Sequence, residues 1–303
     1  MDKVKIGLPR AFTYYYFSDL WKIFFKELNI DYIESPPTNK EIISKGMSRA
    51  NDEMCLSFKI YLGHIDYLKD KCDYILVPRI DNYGKSNQTC TNFLAAFDII
   101  NNLFETKILD YNINLEGNSN ELDGFLRIGK LLNKSRYDVI KAYNKAILDT
   151  YKIKQNKIKK NIKALENDGL KVLLVSHSYN TYDAYIGKQI TDYLEEMGVT
   201  IIYSDMFDDK ETNKLAYKLS DTIYFKYSKD NIGSIKLVQD KIDGIIFLSA
   251  FPCGLDSLVN ELVMRKINKP YLNLIMDESY SLTGIKTRIE SFVDILEQRR
   301  QKN

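Results

Sequence analysis

Histidine is nearly absent from this chain: only His64 and His177 occur in 303 residues. A histidine-rich metal site is thereby excluded. A Ser–His–Asp triad would have to use one of these two, and no GxSxG elbow is present to expose a serine. Cysteine is scarce as well. Four cysteines are too few for a disulfide framework, and a reducing compartment keeps them as thiols. There is no CxxC and no HExxH. GxGxxG and GxxxxGK[ST] are also missing, so nucleotide binding by either route is unsupported. No apolar run approaches the roughly 18–20 residues of a membrane span. The opening Met1-Asp2-Lys3-Val4-Lys5-Ile6 lacks the apolar core of a signal peptide and reads as a strand, so a cytoplasmic protein is expected. An excess of one charge is lacking too: 43 Lys+Arg stand against 41 Asp+Glu. That balance argues against bulk attraction to nucleic acid or anionic membrane.

What is present is an ordinary globular composition, 45% hydrophobic and 28% charged. The length exceeds one typical domain of about 100–200 residues, so two are expected. Short apolar strands alternate with amphipathic helices. In the first half, strands are expected at Val4–Leu8, Asp31–Glu34, Tyr74–Val77 and Lys107–Ile113. Helices are expected at Thr13–Leu28, at Lys40–Lys45 with Thr38 as its cap, at Asp52–Lys71 and at Phe93–Leu103. From Asn118 to Asp168 the pattern is helical almost throughout, with Val139, Tyr143, Ile147, Ile158, Ile162 and Leu165 on one face. Six lysines between Lys152 and Lys163 read as a solvated helix face rather than a phosphate-docking surface.

The second half restarts the alternation. Strands are expected at Val172–Ser176, Thr200–Tyr203, Ile245–Ser249 and Leu272–Met276. Helices are expected at Tyr182–Met197, Lys210–Leu219, Asn231–Lys241, Ser257–Ile267 and Thr283–Gln298. This implies an α/β protein of two Rossmann-like lobes, with parallel sheets flanked by helices. The lobes would span residues 1–133 and 169–303, joined by a long helical connection over 134–168.

In such sheets ligands bind beyond the carboxyl ends of the strands. The residues at those ends are Arg10, Arg79, His177, Cys253 and Asp277-Glu278. Arg10 and Arg79 each follow a proline and suit an anionic substrate group or a structural ion pair. His177 suits a proton donor, and mid-helix His64 suits a structural role. Cys72, just before a strand, reads as incidental. Cys55, Cys90 and Cys253 lie on three separate loops, each near a helix start where a thiolate is favoured. They could converge between the lobes on a soft metal. Zinc would want a fourth ligand or a water, whereas a [4Fe–4S] cluster held by three would keep one iron open. The same residues also fit plain buried packing. Glu53, two residues before Cys55, suits a proton donor or a carboxylate complementing the helix dipole.

Several stretches carry a family resemblance. They are Lys5-Ile6-Gly7-Leu8-Pro9-Arg10-Ala11, Ser35-Pro36-Pro37-Thr38-Asn39-Lys40-Glu41 and Asp52-Glu53-Met54-Cys55. Asp73-Tyr74-Ile75-Leu76-Val77-Pro78-Arg79, Phe251-Pro252-Cys253-Gly254 and Thr287-Arg288-Ile289-Glu290-Ser291-Phe292 follow in order. Over nearly its full length the chain resembles the acyl-CoA dehydratase activase-related proteins of the 2-hydroxyacyl-CoA dehydratase superfamily. The resemblance implies a [4Fe–4S] cluster on Cys55, Cys90 and Cys253, with Cys72 outside the set. It further implies a separate ATP-dependent activator as electron donor, a CoA-ester substrate, and a homo- or heterodimer. Ser279-Tyr280-Ser281-Leu282-Thr283-Gly284 departs from the family by being less glycine- and acid-rich. Three functions are therefore expected in turn: a dehydratase-like or reductase-like enzyme, a cluster-carrying electron-transfer or assembly partner, and a metal-free two-lobed binder.

Overall fold

The computed structural model describes residues 4–302. Met1–Lys3 of the expected opening strand lie outside the described residues. The chain divides into two compact units, Met1–Ile153 and Lys154–Asn303. Among the described residues no helix is long and apolar enough to cross a membrane.

The first unit is built on a four-stranded parallel sheet of β1 (Lys5–Leu8), β2 (Asp31–Glu34), β3 (Tyr74–Leu76) and β5 (Ile108–Leu109), in the order β2-β1-β3-β5. The chain turns to one side after β1 and to the other after β3, so the topological switch point lies between them. Its helices are α1 (Tyr14–Glu27), α2 (Lys40–Met47), α3 (Leu56–Leu68), α4 (Thr91–Leu103) and α5 (Glu121–Leu131). Helix α3 is apolar nearly all round and is the buried centre of the unit, with Leu56, Ile60 and Leu68 inside as expected. Helices α2 and α3 cross at two glycines. A Cβ on Gly46 would stand 2.0 Å from Lys59 O, and one on Gly63 would stand 2.0 Å from Ile42 O.

Several expected boundaries shift. Helix α2 is capped by Asn39, whose side chain accepts from Ile42 N–H at 3.0 Å; Thr38 is drawn away to His64. The expected strand Lys107–Ile113 is two strands. After Leu109 the chain leaves the main sheet, and β6 (Asn112–Asn114) pairs in parallel with β4 (Arg79–Asn82). Strand β4 is short and polar, with only Ile80 and Asn82 buried, so it carries no apolar signal. The helical stretch after Asn118 breaks at Asn133, which adopts a left-handed φ of 55°. Ser135 then opens α6 (Arg136–Ala164) by accepting from Asp138 N–H at 3.1 Å. The buried face of α6 includes Val139, Ala142, Ala146 and Ile158, whereas Ile147 and Ile162 are exposed.

The second unit repeats the plan. Strands β7 (Lys171–Val175), β8 (Thr200–Tyr203), β9 (Gly244–Ala250) and β10 (Tyr271–Met276) form a parallel sheet in the order β10-β9-β7-β8. Its switch point lies between β7 and β9. The helices are α7 (Ser178–Thr181), α8 (Lys188–Glu196), α9 (Asp209–Ala216), α10 (Lys226–Val238), α11 (Gly254–Met264) and α12 (Leu282–Lys302), with one 3₁₀ turn at Gln239–Lys241. Strand β9 is buried at every position, as a central parallel strand should be. Its core joins Leu173, Ile202, Ile235, Phe247 and Val263. The expected helix Tyr182–Met197 starts late, at Lys188. The side chain of Asp183 accepts from Tyr185 N–H at 2.8 Å and Ile186 N–H at 3.1 Å, which holds a turn between α7 and α8.

Candidate functional site

Three of the four cysteines occupy the same local position. Cys55, Cys90 and Cys253 are the N-cap residues of α3, α4 and α11, each with a backbone outside the helical region and each partly exposed. Cysteine is not a favoured cap residue. What the position offers is a set of first-turn N–H groups and the positive end of a helix, both of which stabilise an anionic sulfur. The Cys253 sulfur takes this up directly, accepting from Asp256 N–H at 3.4 Å. Asn92, in the first turn of α4, donates its Nδ2–H to Cys55 Sγ at 3.7 Å. The start of the helix that Cys90 caps is thereby joined to Cys55.

Cys72 is different. Its thiol donates to Leu68 O at 3.3 Å, and burial pushes it up to about 11. It also stands 2.6 Å from where a Cβ on Gly7 would lie, so β1 needs glycine there to pass it. Its role is packing.

Three thiols at helix N-termini suit a thiophilic iron or zinc centre by donor chemistry. Among the described residues of either unit, no group of three His, Cys, Asp or Glu side chains is assembled as a metal site. Cys55 and Cys90 belong to the first unit and Cys253 to the second.

His177 caps α7 at the end of β7 and is buried. Its Nε2 lies 2.9 Å from Asp256 Oδ1, and its ring stacks on Tyr179 with centroids 5.0 Å apart. The pair crosses the switch point from β7 to the first turn of α11, three residues after Cys253. Asp256 was not legible as a site residue. Its only sequence signal is its place three residues after a cap.

Arg10 follows β1 at the first unit's switch point. Its Nη2 pairs with Glu34 at 3.2 Å, and Lys22 reaches the same carboxylate at 2.9 Å. Tyr14 also donates to Glu34. Burial would raise the Glu34 carboxyl, but the bonds from Tyr14 and Lys22 and the charges of Lys22 and Arg10 hold it below the usual range. Two cations share one carboxylate, so positive charge is in excess. Arg79 opens β4, the strand absent from the sequence reading, rather than simply ending β3. Asp98 matches its guanidinium bidentately at 2.7 and 2.9 Å, and the ring of Phe97 lies 4.8 Å beneath it. Glu53 is exposed, in the turn that precedes Cys55.

His64 is fully buried on α3, with Nδ1 2.7 Å from Ser35 Oγ and Nε2 3.0 Å from Thr38 Oγ1. Burial, aided by the charge of Arg10, pushes it down to about 3, so it is neutral at physiological pH.

No relative matches the chain among curated proteins. Among solved structures it is similar to a sugar transporter from Clostridium phytofermentans, at 14% identity and a TM-score of 0.22, covering 92% of this chain and 97% of that one. A LacI family transcriptional regulator from Arthrobacter sp. FB24 in complex with lactose is similar at 10% identity and a TM-score of 0.21, covering 99% and 92%. At these scores neither carries an argument. The model of one protein family, described as the CoA enzyme activase uncharacterised domain, matches residues 5–207, a stretch that includes Cys55, Cys90 and His177. The chain belongs to that CoA enzyme activase domain family.

Proposed function

We propose that this protein is an iron–sulfur component of a CoA-ester dehydratase or reductase system. The observation that carries the reading is the shared placement of Cys55, Cys90 and Cys253 on helix N-caps, with Cys72 excluded from that role. A [4Fe–4S] cluster on those thiolates would supply a low-potential one-electron centre with one open iron. The chain has no nucleotide motif, so the ATP-dependent electron donor is a separate partner.

The chain's own residues would then divide the work. The helix N-termini hold anionic sulfur. Asn92 and the Asp256 N–H donate to it, as outer-shell groups do around sulfur ligands. Arg10 is the better holder of an anionic substrate group than Arg79. Arg10 shares its carboxylate with Lys22, whereas Asp98 fully matches Arg79. His177 is held by Asp256, which orients its ring at the end of β7.

The test is iron and acid-labile sulfide on anaerobically purified protein. About four irons per chain are expected by analogy with a [4Fe–4S] centre, kept in Cys72→Ala and lost in Cys55→Ala, Cys90→Ala and Cys253→Ala. A colourless, iron-free wild type after anaerobic reconstitution would overturn the reading. For the substrate, reduced activator and 2-hydroxyacyl-CoA esters should change the EPR spectrum of the reduced protein. Iron without such a change, together with a stable activator complex, would favour an electron carrier.

A further inference from the structure

The loop after β2 is held by a chain of hydrogen bonds whose proton positions can be assigned. Ser35 is fully buried, and its hydroxyl has two neighbours: the Arg10 main-chain N–H at 2.8 Å and His64 Nδ1 at 2.7 Å. Arg10 N–H can only donate, so it occupies an acceptor site on Ser35 Oγ. If Nδ1 also carried a proton, the serine's own proton would be buried with nothing to accept it, at the cost of an unmade bond. The Ser35 hydroxyl therefore donates to Nδ1. The ring proton lies on Nε2, which donates to Thr38 Oγ1 at 3.0 Å. A neutral ring is what this pattern requires, and its burial beside the Arg10 charge enforces it.

Two consecutive residues at the end of β2 thus hold both ends of Arg10. Ser35 takes the main chain and Glu34 takes the guanidinium. Both depend on the course of the Ser35–Thr38 loop, which His64 grips at its first and last residues from α3. We propose that His64, as the neutral Nε2–H tautomer, is a positioning residue that fixes the Arg10 guanidinium at the carboxyl edge of the first sheet. The value of that position for substrate binding rests on the function proposed above. The positioning itself does not.

The test separates the two. In wild type, nitrogen NMR of the imidazole should show Nδ1 unprotonated and Nε2 protonated from pH 5 to 8. The Arg10 Nε–H, which is buried, should exchange slowly with water. In His64→Ala that exchange should speed up by about tenfold, the equivalent of one ordinary hydrogen bond, with the Arg79 signal unchanged. His64→Asn places an amide oxygen where Nδ1 lies, and should restore slow exchange. His64→Gln reaches toward Thr38 instead, and should not. A titrating or Nδ1–H ring, or Arg10 exchange indifferent to which amide replaces His64, would overturn the proposal, and the tautomer measurement needs only wild type. Iron content in the same variants reports on the cluster separately, and should not follow the Arg10 signal.

Discussion

Gly63→Ala should destabilise the first unit by about 3 kcal/mol, the upper end for forced overpacking. The reason is the reciprocal glycine contact between α2 and α3. A Cβ at Gly63 would meet Ile42 O at 2.0 Å and Gly46 N at 3.0 Å. A Cβ at Gly46 would meet Lys59 O at 2.0 Å and Gly63 N at 3.1 Å. These neighbours are main-chain atoms, so no rotamer change relieves the clash and the helices must move apart. Helix α3 carries the Cys55 cap at its start and His64 within it, so the movement reaches both. The chain's one tryptophan, Trp21, is fully buried in this unit and reports on it alone. A urea titration followed by Trp21 fluorescence should show the lowered midpoint. Gly46→Ala should match it. Unchanged midpoints would mean that the two helices have slack that their backbone contact denies.

The second large effect concerns acid and base. Glu121 lies in the first turn of α5, half-buried, with Oε2 accepting from Tyr143 OH on α6 at 3.0 Å and Oε1 shielded from solvent without a hydrogen-bond partner. Its charge would face Tyr111, whose hydroxyl already accepts from Trp21 Nε1–H at 2.9 Å. Burial raises its carboxyl to about 7, against the lowering bond from Tyr143. The folded pKa is thus above the unfolded one. Below about 4.5 both states are protonated and stability is full. Between about 4.5 and 7 the unfolded chain releases the proton first, so stability falls as pH rises. Above 7 the deficit is constant, about 3 kcal/mol at most for a shift of this size. Glu121→Gln keeps an acceptor for Tyr143 and removes the charge. It should match wild type near pH 4 and exceed it by up to about 3 kcal/mol at pH 8 in urea titrations followed by Trp21. A variant equal to or weaker than wild type at pH 8 would show that the folded state already holds the ionised carboxylate comfortably.

The alternation of apolar strands and amphipathic helices made the α/β plan readable, because a buried parallel strand such as β9 carries a continuous apolar run, Ile245-Ile246-Phe247-Leu248. The polar strand β4 was not readable, since pairing through the backbone leaves no mark on side chains. The end of a pattern also misled at Asp183 and Asn133, where one residue's side chain or left-handed backbone overrides helical periodicity. At the candidate site the three cysteines stood out because cysteine is rare and each sat near the start of a helical pattern; that Cys55 precedes its helix, expected from Asp52, came from the structure. The partners of His177 and Arg10 did not. Asp256, Glu34 and Ser35 acquire meaning only once strands distant in sequence lie side by side, bringing His177 to Asp256 across 79 positions. Arg79 illustrates the converse. Its place after Val77-Pro78 was visible, but the carboxylate that occupies it comes from α4.

Helix α6 has a consequence for anyone wishing to express the halves of this chain apart. Its early turns serve the first unit through Tyr143 to Glu121 and Lys145 to Glu27. Its late turns serve the second through Lys154 to Asp209, and through Asn161, whose side chain bonds Tyr203 and Met206 main-chain groups. A fragment ending at residue 133 forfeits the first set, and one starting at residue 169 forfeits the second. Fragments cut at the 153/154 junction retain both, at the cost of two new frayed helix ends. Complementation of two such fragments would be the stringent measure of how independent the halves are.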